Sequence, residues 1–560
     1  MTRKIDTDAM DLLTRRKLLA SGVAVSGTVL AGCLDPADDD AEPPEDDDDP
    51  AADDDDDEPA DDDDEAPSGD QLNFTQQVAP IEWDPVVAND AYSGQIYHTI
   101  YDGLYEYQPG DLELEPKLAA EMPEVENDGQ RFIVELREEP EFHDGTPVTA
   151  EDVIHTFTAP VEEETDNMPD VDMIESAEEI DEHTVQFDLE FVYAPFEAIT
   201  LPSYIVNAEA RQEDPEAYNT ENPIGSGPYQ FVEAEIGEFA DVELWEDYWD
   251  EPSQVASIRY EPAEDDAGRV ARILGQETHL IEGIPPADWD DLDAEEGIEI
   301  ASVESTGYLY FAFNCAEGPT ADPDVRRAIA HCHSTRDYVE DIFGEAAEWT
   351  NMSVAPETAD AIGMEGIDHF QDMAYEFDPE TAQDLLDGSD AIDEDTQIDI
   401  IAPPDDVRVN WGELIADRLG EIGYEAGVQR LDWDVFTSSY QSGDSDEFQL
   451  YTLGWTGGAD PDVYYYQLFH QDNEGLTQGH YYENDEFHDM IIQARETFED
   501  DERAELYNEI QEIIIEDCVH IPGWTDLNAA AYLSDEVEGL QADLQTTTNP
   551  RMDHPDVTLL

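Results

Sequence analysis

The chain has 560 residues, of which 145 are Asp or Glu and 21 are Lys or Arg, so its formal net charge at pH 7 is -124. A charge of this sign and size repels phosphate backbones and excludes nucleic acid as a partner. It also strains a compact state except in molar salt, where the screening length falls to about 3 Å, so the composition indicates a halophilic protein.

The first 33 residues have the pattern of an export signal. Arg15 and Arg16 precede an apolar run, 18–32, that is short and contains Gly and Ser, which favours a cleaved twin-arginine signal over a membrane-spanning helix. The run ends in Leu-Ala-Gly-Cys, which resembles a lipobox, so we expect Cys33 to carry lipid and to become the mature N-terminus. An ordinary signal peptide with a chance cysteine is the alternative.

Residues 34–70 consist of acidic blocks separated by Pro and Ala. Such a segment has too few apolar residues to form a core, and its charges repel one another. We therefore predict a disordered tether that reaches on the order of 100 Å at full extension. With Cys33 it would hold the protein on the extracellular face of the cell membrane.

The remaining residues mix apolar and polar positions in a globular pattern, and they are too many for one core, so we expect two lobes. Three residues have the sequence context of helix N-caps: Thr149, Asp322 and Asp378. Further on, apolar periodicity predicts alternating strands and helices at 397–402 (strand), 411–422 (helix), 426–431 (strand), 433–440 (helix) and 448–453 (strand).

A glycine-rich segment, 454–462, follows the last of these strands. Ligands of open α/β sheets bind at the carboxyl ends of the strands. In this segment Trp455 would supply a flat apolar wall and Asp460 a charge, so we predict ligand contacts here. A simple turn is the alternative.

A set of short motifs recurs along most of the chain in a fixed order. The motifs are Tyr101-Asp-Gly-Leu104, Leu114-Glu-Pro-Lys-Leu-Ala119, Phe142-His-Asp-Gly-Thr-Pro147, Asn222-Pro-Ile-Gly-Ser-Gly-Pro-Tyr229, Asp247-Tyr-Trp249, Asp324-Val-Arg-Arg-Ala328, and Gly454-Trp455 followed by Asp460-Pro-Asp462. In order and spacing, over nearly all of 70–530, they resemble the extracellular solute-binding proteins of ABC importers. The resemblance is to the family of dipeptide-, oligopeptide- and nickel-binding proteins, here of a haloarchaeal type.

The resemblance implies an α/β, two-lobed, periplasmic-binding-protein-like fold with a hinge and a discontinuous first lobe. The first lobe would comprise 71–305 and 521–560, and the second lobe 306–520. A small solute, by default a peptide, would be held between the lobes, and hinge closure would present it to a permease that works with ATPase subunits. No enzymatic activity, cofactor or metal is implied.

The charged ligand anchors of the family are altered here. Dipeptide-binding relatives carry, three residues after the tryptophan, an aspartate that pairs with the ligand's amino terminus, and this position is Gly458. Asp460 is a candidate replacement, and a structural Asp-Pro-Asp element is the alternative. Relatives also place an arginine for the ligand carboxylate just before the helix at 411–422, where the nearest arginine is Arg408.

Two further residues, Asn89 and Tyr92, are candidate ligand contacts on the first lobe because of their position relative to the family. An unpaired buried charge is costly, so the joint loss of both charged anchors would be a coherent change of ligand. A sugar or another non-peptide solute therefore stays open beside a peptide.

Two functions of other kinds are the alternatives. A secreted hydrolase or metalloenzyme has little support, because His331, Cys332 and His333 are adjacent on a predicted helix and point apart, and no catalytic motif is present. A solute sensor that does not transport is not distinguished by the sequence. Besides Cys332, the cysteines Cys315 and Cys518 allow at most one disulfide, and buried thiols are expected.

Overall fold

The computed structural model describes residues 71–393 and 396–560. The predicted signal peptide, 1–33, with its lipid-bearing Cys33, and the predicted tether, 34–70, lie outside the described residues. Within the described ranges, the helices are all too short or too polar to cross a membrane. Strands and helices are mixed along these ranges, which confirms the predicted α/β class.

The first of two large sheets has eight strands in the described part of the chain. In spatial order its strands are Ile298–Glu304, Trp524–Leu533, Leu280–Glu282, Gln71–Gln76, Ser257–Pro262, Phe239–Leu244 and Tyr229–Glu235, with Ala347–Trp349 paired separately to Trp524–Leu533. The late strand Trp524–Leu533 runs antiparallel between two much earlier strands, with Leu533 opposite Ile298 and Tyr532 opposite Leu280. The lobe built on this sheet is therefore discontinuous in sequence.

The second large sheet has five strands, and its lobe carries the predicted alternating region. Its order is Glu425–Arg430, Gln397–Ala402, Leu450–Thr456, Gly307–Phe313 and His520–Pro522. The first three strands are mutually parallel and the last two pair antiparallel. All three predicted strands exist, and the strand predicted at 448–453 extends to Thr456.

A third, antiparallel sheet of four strands lies within the first half of the described chain. Its order is Glu124–Glu126, Arg131–Glu135, Thr184–Leu189 and Ile174–Asp181. It forms a separate apolar core in which Phe132, Val153 and Phe187 are fully buried. Two short ribbons complete the strands: Tyr105–Tyr107 with Leu114–Pro116, and Val537–Glu538 with Thr558–Leu559.

Helices cover the sheets, and polar caps fix where several of them begin. The α-helices are Ala91–Ile100, Ala150–Glu163, Ala208–Glu213, Pro215–Thr220, Asp266–Leu274, Trp289–Asp293, Pro323–His331, Thr335–Ile342, Pro356–Ala361, Ile367–Gln371, Pro379–Gly388, Asp406–Glu421, Trp433–Ser442, Asp462–Phe469, Asp485–Glu496 and Asp500–Glu516. The carboxylates of Asp322 and Asp378 accept backbone N–H groups of the helices that follow them, as predicted. Thr149 precedes its helix and donates its own N–H to Asp152 Oδ2, 2.9 Å away.

The chain passes from the eight-stranded to the five-stranded sheet between Glu304 and Gly307, and it returns at Gly523. The Gly523 N–H donates to the Leu309 carbonyl over 2.8 Å, so the return crossing lies against the first one. The predicted lobe boundaries at 305/306 and 520/521 stay predictions. The three cysteines of the described part carry free thiols.

Candidate ligand-binding site

A cavity of about 940 Å³ lies between the two lobes. This volume is in the range of about 300 to 1,000 Å³ that is typical of sites for small molecules. Most of its lining residues belong to five stretches of the chain: 101–108, 169–173, 191–204, 455–477 and 543–555. The fourth stretch belongs to the lobe of the five-stranded sheet, and the others approach it from the opposite side.

The wall contributed by the five-stranded sheet is the glycine-rich loop that was predicted from sequence. The ring of Trp455 lines the cavity while its Nε1 donates to the Val463 carbonyl over 2.8 Å, which fixes the ring. The Gly457 N–H donates to the Thr306 carbonyl over 3.2 Å, and the hydroxyl of Tyr464 donates to the same carbonyl. The cavity wall is therefore tied directly to the crossing between the lobes.

The structure separates the predicted residues of this loop into two groups. Trp455 and Gly458 line the cavity. Asp460 does not line it, because its carboxylate is 2% exposed and accepts two hydrogen bonds from the Arg503 guanidinium, at 2.7 and 2.8 Å. The charge of Asp460 is thus already paired inside the protein.

The other three predicted contact residues also lie away from the cavity lining. Asn89 is exposed, and the half-buried Tyr92 donates its hydroxyl to Gln77 Oε1 over 3.2 Å. Arg408 is buried in the first turn of the helix Asp406–Glu421, where its N–H donates to Asp405 Oδ1. Ligand contacts by these residues stay predictions.

Sequence reasoning missed a polar and aromatic cluster beside the loop. The Arg495 guanidinium lies 3.7 Å from the ring centre of Tyr466 and 4.7 Å from that of Tyr193, and its Nη1 is 3.6 Å from Asp462 Oδ2. All four side chains line the cavity. Asp462 was visible in the Asp-Pro-Asp motif, but a lone arginine in a helical pattern gives no signal of its own.

The carboxylate of Asp462 is buried in this wall without a full set of hydrogen bonds. The residue is 3% exposed, and its Oδ1 accepts no hydrogen bond within the described ranges. Burial raises the pKa of Asp462 to about 6, against the opposing effect of Arg495. A cation that reached Oδ1 would relieve this cost of burial.

A second carboxylate, Asp170, lines the cavity from the segment that precedes the strand Ile174–Asp181. Asp170 is exposed and lines the cavity, and protein atoms lie close around its carboxylate. This environment raises the pKa of Asp170 to about 6, and the neighbouring charge of Asp172 adds to the effect. Asp170 forms no ion pair with a basic side chain in the described part of the protein.

The C-terminal stretch supplies a charged network on the side of the first lobe. The Arg551 guanidinium lies 3.2 Å from Asp543 Oδ2 and 3.1 Å from Asp553 Oδ1, and His98 Nε2 is 3.2 Å from Asp553 Oδ1. Burial disfavours the charge of Asp553, but Arg551 outweighs burial and holds the pKa of this carboxyl well below its usual range. Arg551 is therefore neutralised by protein carboxylates.

Lys117 is also paired within the protein. Its Nζ lies 2.9 Å from Asp250 Oδ2 and 3.4 Å from Glu106 Oε1. Asp102, beside it, accepts hydrogen bonds from Tyr248 and Trp249 at 3.0 and 2.9 Å, while burial raises its pKa to about 6. This corner of the cavity thus presents a rigid, hydrogen-bonded surface.

The described residues contain no group of three or more His, Cys, Asp and Glu side chains placed to hold a metal ion. In the motif that resembled metal ligands, His331 Nδ1 contacts the Glu376 carbonyl over 2.7 Å. His333 instead contacts the Ile329 carbonyl and the Thr335 hydroxyl in the interior. The two imidazoles therefore have separate partners, and because the helix Pro323–His331 ends at His331, Cys332 and His333 lie beyond the helix on which they were predicted.

A match to a known protein family shows to which family the chain belongs. Residues 113–475, more than half of the chain, match the family described as bacterial extracellular solute-binding proteins, family 5. The chain belongs to this family. Its members are binding proteins rather than enzymes, and they act outside the cytoplasmic membrane.

Individual relatives agree with the family. The chain is 28% identical to Protein XP55 of Streptomyces lividans over 80% of this chain and 83% of that protein. It is 25% identical to the dipeptide-binding protein of Escherichia coli over 74% and 81% of the two chains. The crystal structure of the ABC transporter substrate-binding protein CtaP of Listeria monocytogenes has a TM-score of 0.75 at 22% identity, over 87% of this chain and 99% of that one. This likeness confirms the predicted two-lobed fold.

Proposed function

We propose that this family 5 protein is the lipid-anchored substrate-binding component of an ABC importer and that its solute is a short peptide. The observation that carries the proposal is the cavity of about 940 Å³ whose walls come from both lobes. A solute that contacts both walls stabilises the closed arrangement by its differential affinity for that state. The closed protein would then dock on a membrane permease and release the solute.

The chemistry of the walls fits a peptide better than an uncharged solute. A peptide carries both an ammonium and a carboxylate. The cavity is lined by both signs of charge, among them the carboxylates of Asp462 and Asp170 and the guanidinium of Arg495. The relative from Escherichia coli is named as a dipeptide-binding protein, which agrees with this choice.

Purification of the full chain in molar salt, followed by mass spectrometry of the small molecules that accompany it, tests the proposal. We expect short peptides to be released on denaturation, and we expect a strain without the protein to lose uptake of those peptides. Recovery of saccharides alone, with no peptide binding in calorimetry, would replace the peptide by a sugar. Normal peptide uptake in the deletion strain would argue against the transport role.

Cys33→Ala is predicted to release the protein from the cell envelope, because the motif ending at Cys33 is the proposed site of lipid attachment. Fractionation by ultracentrifugation, with immunoblotting of membranes and medium, measures the effect. Ser26→Ala, in the same export segment, is the matched control and should stay with the membranes. If the Cys33→Ala protein stays there too, the proposed anchor is wrong.

A further inference from the structure

The cavity has a strong excess of acid over base. Nine of its lining residues are Asp or Glu, and three are Lys or Arg. Two of the three basic residues are each shared between two protein carboxylates: Lys117 between Asp250 and Glu106, and Arg551 between Asp543 and Asp553. These two basic residues therefore pair with four of the nine acidic residues of the lining.

The third basic residue compensates Asp462 only in part. Arg495 is 3.6 Å from Asp462 Oδ2, which is longer than a charge-assisted hydrogen bond, and aromatic rings hold its guanidinium in place. Asp462 Oδ1 has no hydrogen-bond partner among residues 71–393 and 396–560. One oxygen of this buried carboxylate beside the cavity therefore lacks a hydrogen-bond partner, and a donor from the cavity would reach it after a turn of the side chain.

The high acidic content of the whole chain does not explain why a buried residue, Asp462, is a carboxylate with an unpartnered oxygen. Halophilic acidity resides in exposed side chains, whose charges stay hydrated. Asp462 is 3% exposed, and a buried charge without full pairing is costly. A carboxylate in this position is more readily understood as part of a binding surface than as a solubilising charge.

Asp170 lies in the same electrostatic neighbourhood as Asp462. The charges of both residues raise the pKa of the Tyr193 hydroxyl, so both act on one point in the cavity wall. Asp462 and Asp172 act in the same way on Tyr466. Asp462, Asp170 and Asp172 thus surround the two tyrosine rings and outnumber the Arg495 guanidinium that lies against them, which suits an alkyl chain that ends in a cation.

We infer that the cavity selects peptides with a positively charged side chain, whose cation lies between Asp462 and Asp170 while its alkyl stem packs on Tyr193 and Tyr466. This inference rests on the proposed function as a peptide-binding protein. An ammonium has three donors, enough to serve Asp462 Oδ1 and Asp170 together. The contact joins the two lobes, so it would also favour closure.

Calorimetry on the full chain in molar potassium chloride tests the inference with three tripeptides: Ala-Lys-Ala, its Nε-acetyllysine form and Ala-Glu-Ala. The acetyl form keeps the length and the backbone but removes the charge. We expect Ala-Lys-Ala to bind at least about tenfold more tightly than the acetyl form, because a hydrogen bond to a buried charged group has about this effect. We expect Ala-Glu-Ala to bind most weakly.

The outcomes separate the inference from the function on which it rests. Equal affinities for Ala-Lys-Ala and its acetyl form would overturn charge selection and leave peptide binding intact. The proposed function itself would be overturned if the protein bound a non-peptide solute but bound none of these three peptides. The same result would require that it also bind no peptide recovered with it.

Two variants test which residues cause the preference for a positively charged side chain. Asp462→Asn and Asp170→Asn should each reduce the preference for Ala-Lys-Ala over the acetyl form by about tenfold. Asp166→Asn is the matched control, since Asp166 is exposed near Asp170 but does not line the cavity, and it should keep the full preference. Asp170 is not packed in the core, so its variant remains informative if Asp462→Asn fails to fold. A folded Asp170→Asn protein with unchanged preference would contradict the inference.

The pH dependence gives a second readout. The charged or titratable neighbours of Asp462 are Arg495, Asp460, Arg503 and the hydrogen-bonded Tyr193, and Asp170 faces Asp172. Because the pKa of Asp462 and that of Asp170 are both raised to about 6, these carboxyls lose their charge as the pH falls through that value. Affinity for Ala-Lys-Ala should be full above pH 6 and lost below it, with proton release on binding near pH 6. A parallel loss for the acetyl form would contradict the inference.

Discussion

Asp460→Asn should lower the free energy of unfolding by about 3 to 5 kcal/mol, the usual effect of removing one partner from a buried ion pair. The substitution keeps the shape of the side chain but leaves the Arg503 guanidinium, which is 4% exposed, with an uncompensated charge. Asp460 also accepts the Asp462 N–H over 2.9 Å, a hydrogen bond that the amide oxygen of Asn can keep, so the loss is expected to come from the pair with Arg503. Denaturant unfolding at a fixed molar salt concentration measures the change.

An exposed ion pair provides the contrast. Glu340→Gln breaks the pair of Glu340 with Arg336, in which both side chains are 61% exposed, and it should change stability by less than about 1 kcal/mol. Asp460→Leu combined with Arg503→Met should recover most of the loss, since apolar replacement of both partners removes the unpaired charge. A loss of less than about 1 kcal/mol in Asp460→Asn would mean that Asp460 is free for another role, such as contact with the ligand.

Gly457→Ala should cost roughly 1 to 3 kcal/mol of stability, the usual range for overpacking in an interior, and it should weaken ligand binding as well. A Cβ at this position would lie 1.9 Å from the hydroxyl of Tyr464, which is fully buried and donates to the Thr306 carbonyl. The clash would displace a wall of the cavity and the contact that ties it to the crossing. Thermal unfolding and peptide calorimetry on the same sample measure both effects.

Gly458→Ala is the neighbouring control for stability. A Cβ at Gly458 would meet Ile199 at 3.4 Å and Val463 at 3.8 Å, which are ordinary contact distances. The two glycines thus share a loop and differ in the space around them. If Gly457→Ala were as stable as Gly458→Ala, Tyr464 would have an alternative position, and the link to Thr306 would not be required for the fold.

Sequence patterns best predicted those features, such as strand bounds and helix caps, that depend on a few neighbouring residues. The strand Gln397–Ala402 has the predicted bounds, and the carboxylates of Asp322 and Asp378 cap the helices that were predicted to follow them. These features depend on a few consecutive residues, so their signal is contained in a short window. The helix predicted at 411–422 instead begins at Asp406, because the Asp405 carboxylate accepts the Arg408 N–H one turn earlier than the apolar pattern indicates.

Most of the cavity could not be predicted in this way, because its polar contacts join distant parts of the chain. Asp460 satisfies the pattern of a ligand anchor in sequence, yet its partner Arg503 is 43 residues away. Arg551 also has a distant partner, because its guanidinium donates to the Tyr107 carbonyl, 444 residues earlier in the chain. No spacing rule connects such pairs, so only the folded structure distinguishes a charge that is paired internally from one that is available to a ligand.

The position of the strand Trp524–Leu533 has a consequence for biosynthesis. It lies between Ile298–Glu304 and Leu280–Glu282, so the first lobe's sheet has a gap until the ribosome has passed the whole second lobe. The second lobe can fold while the chain is still growing, but the first cannot close, and the cavity stays incomplete until the stretch around Arg551 has emerged. A nascent chain therefore cannot capture solute inside the cell where it is made.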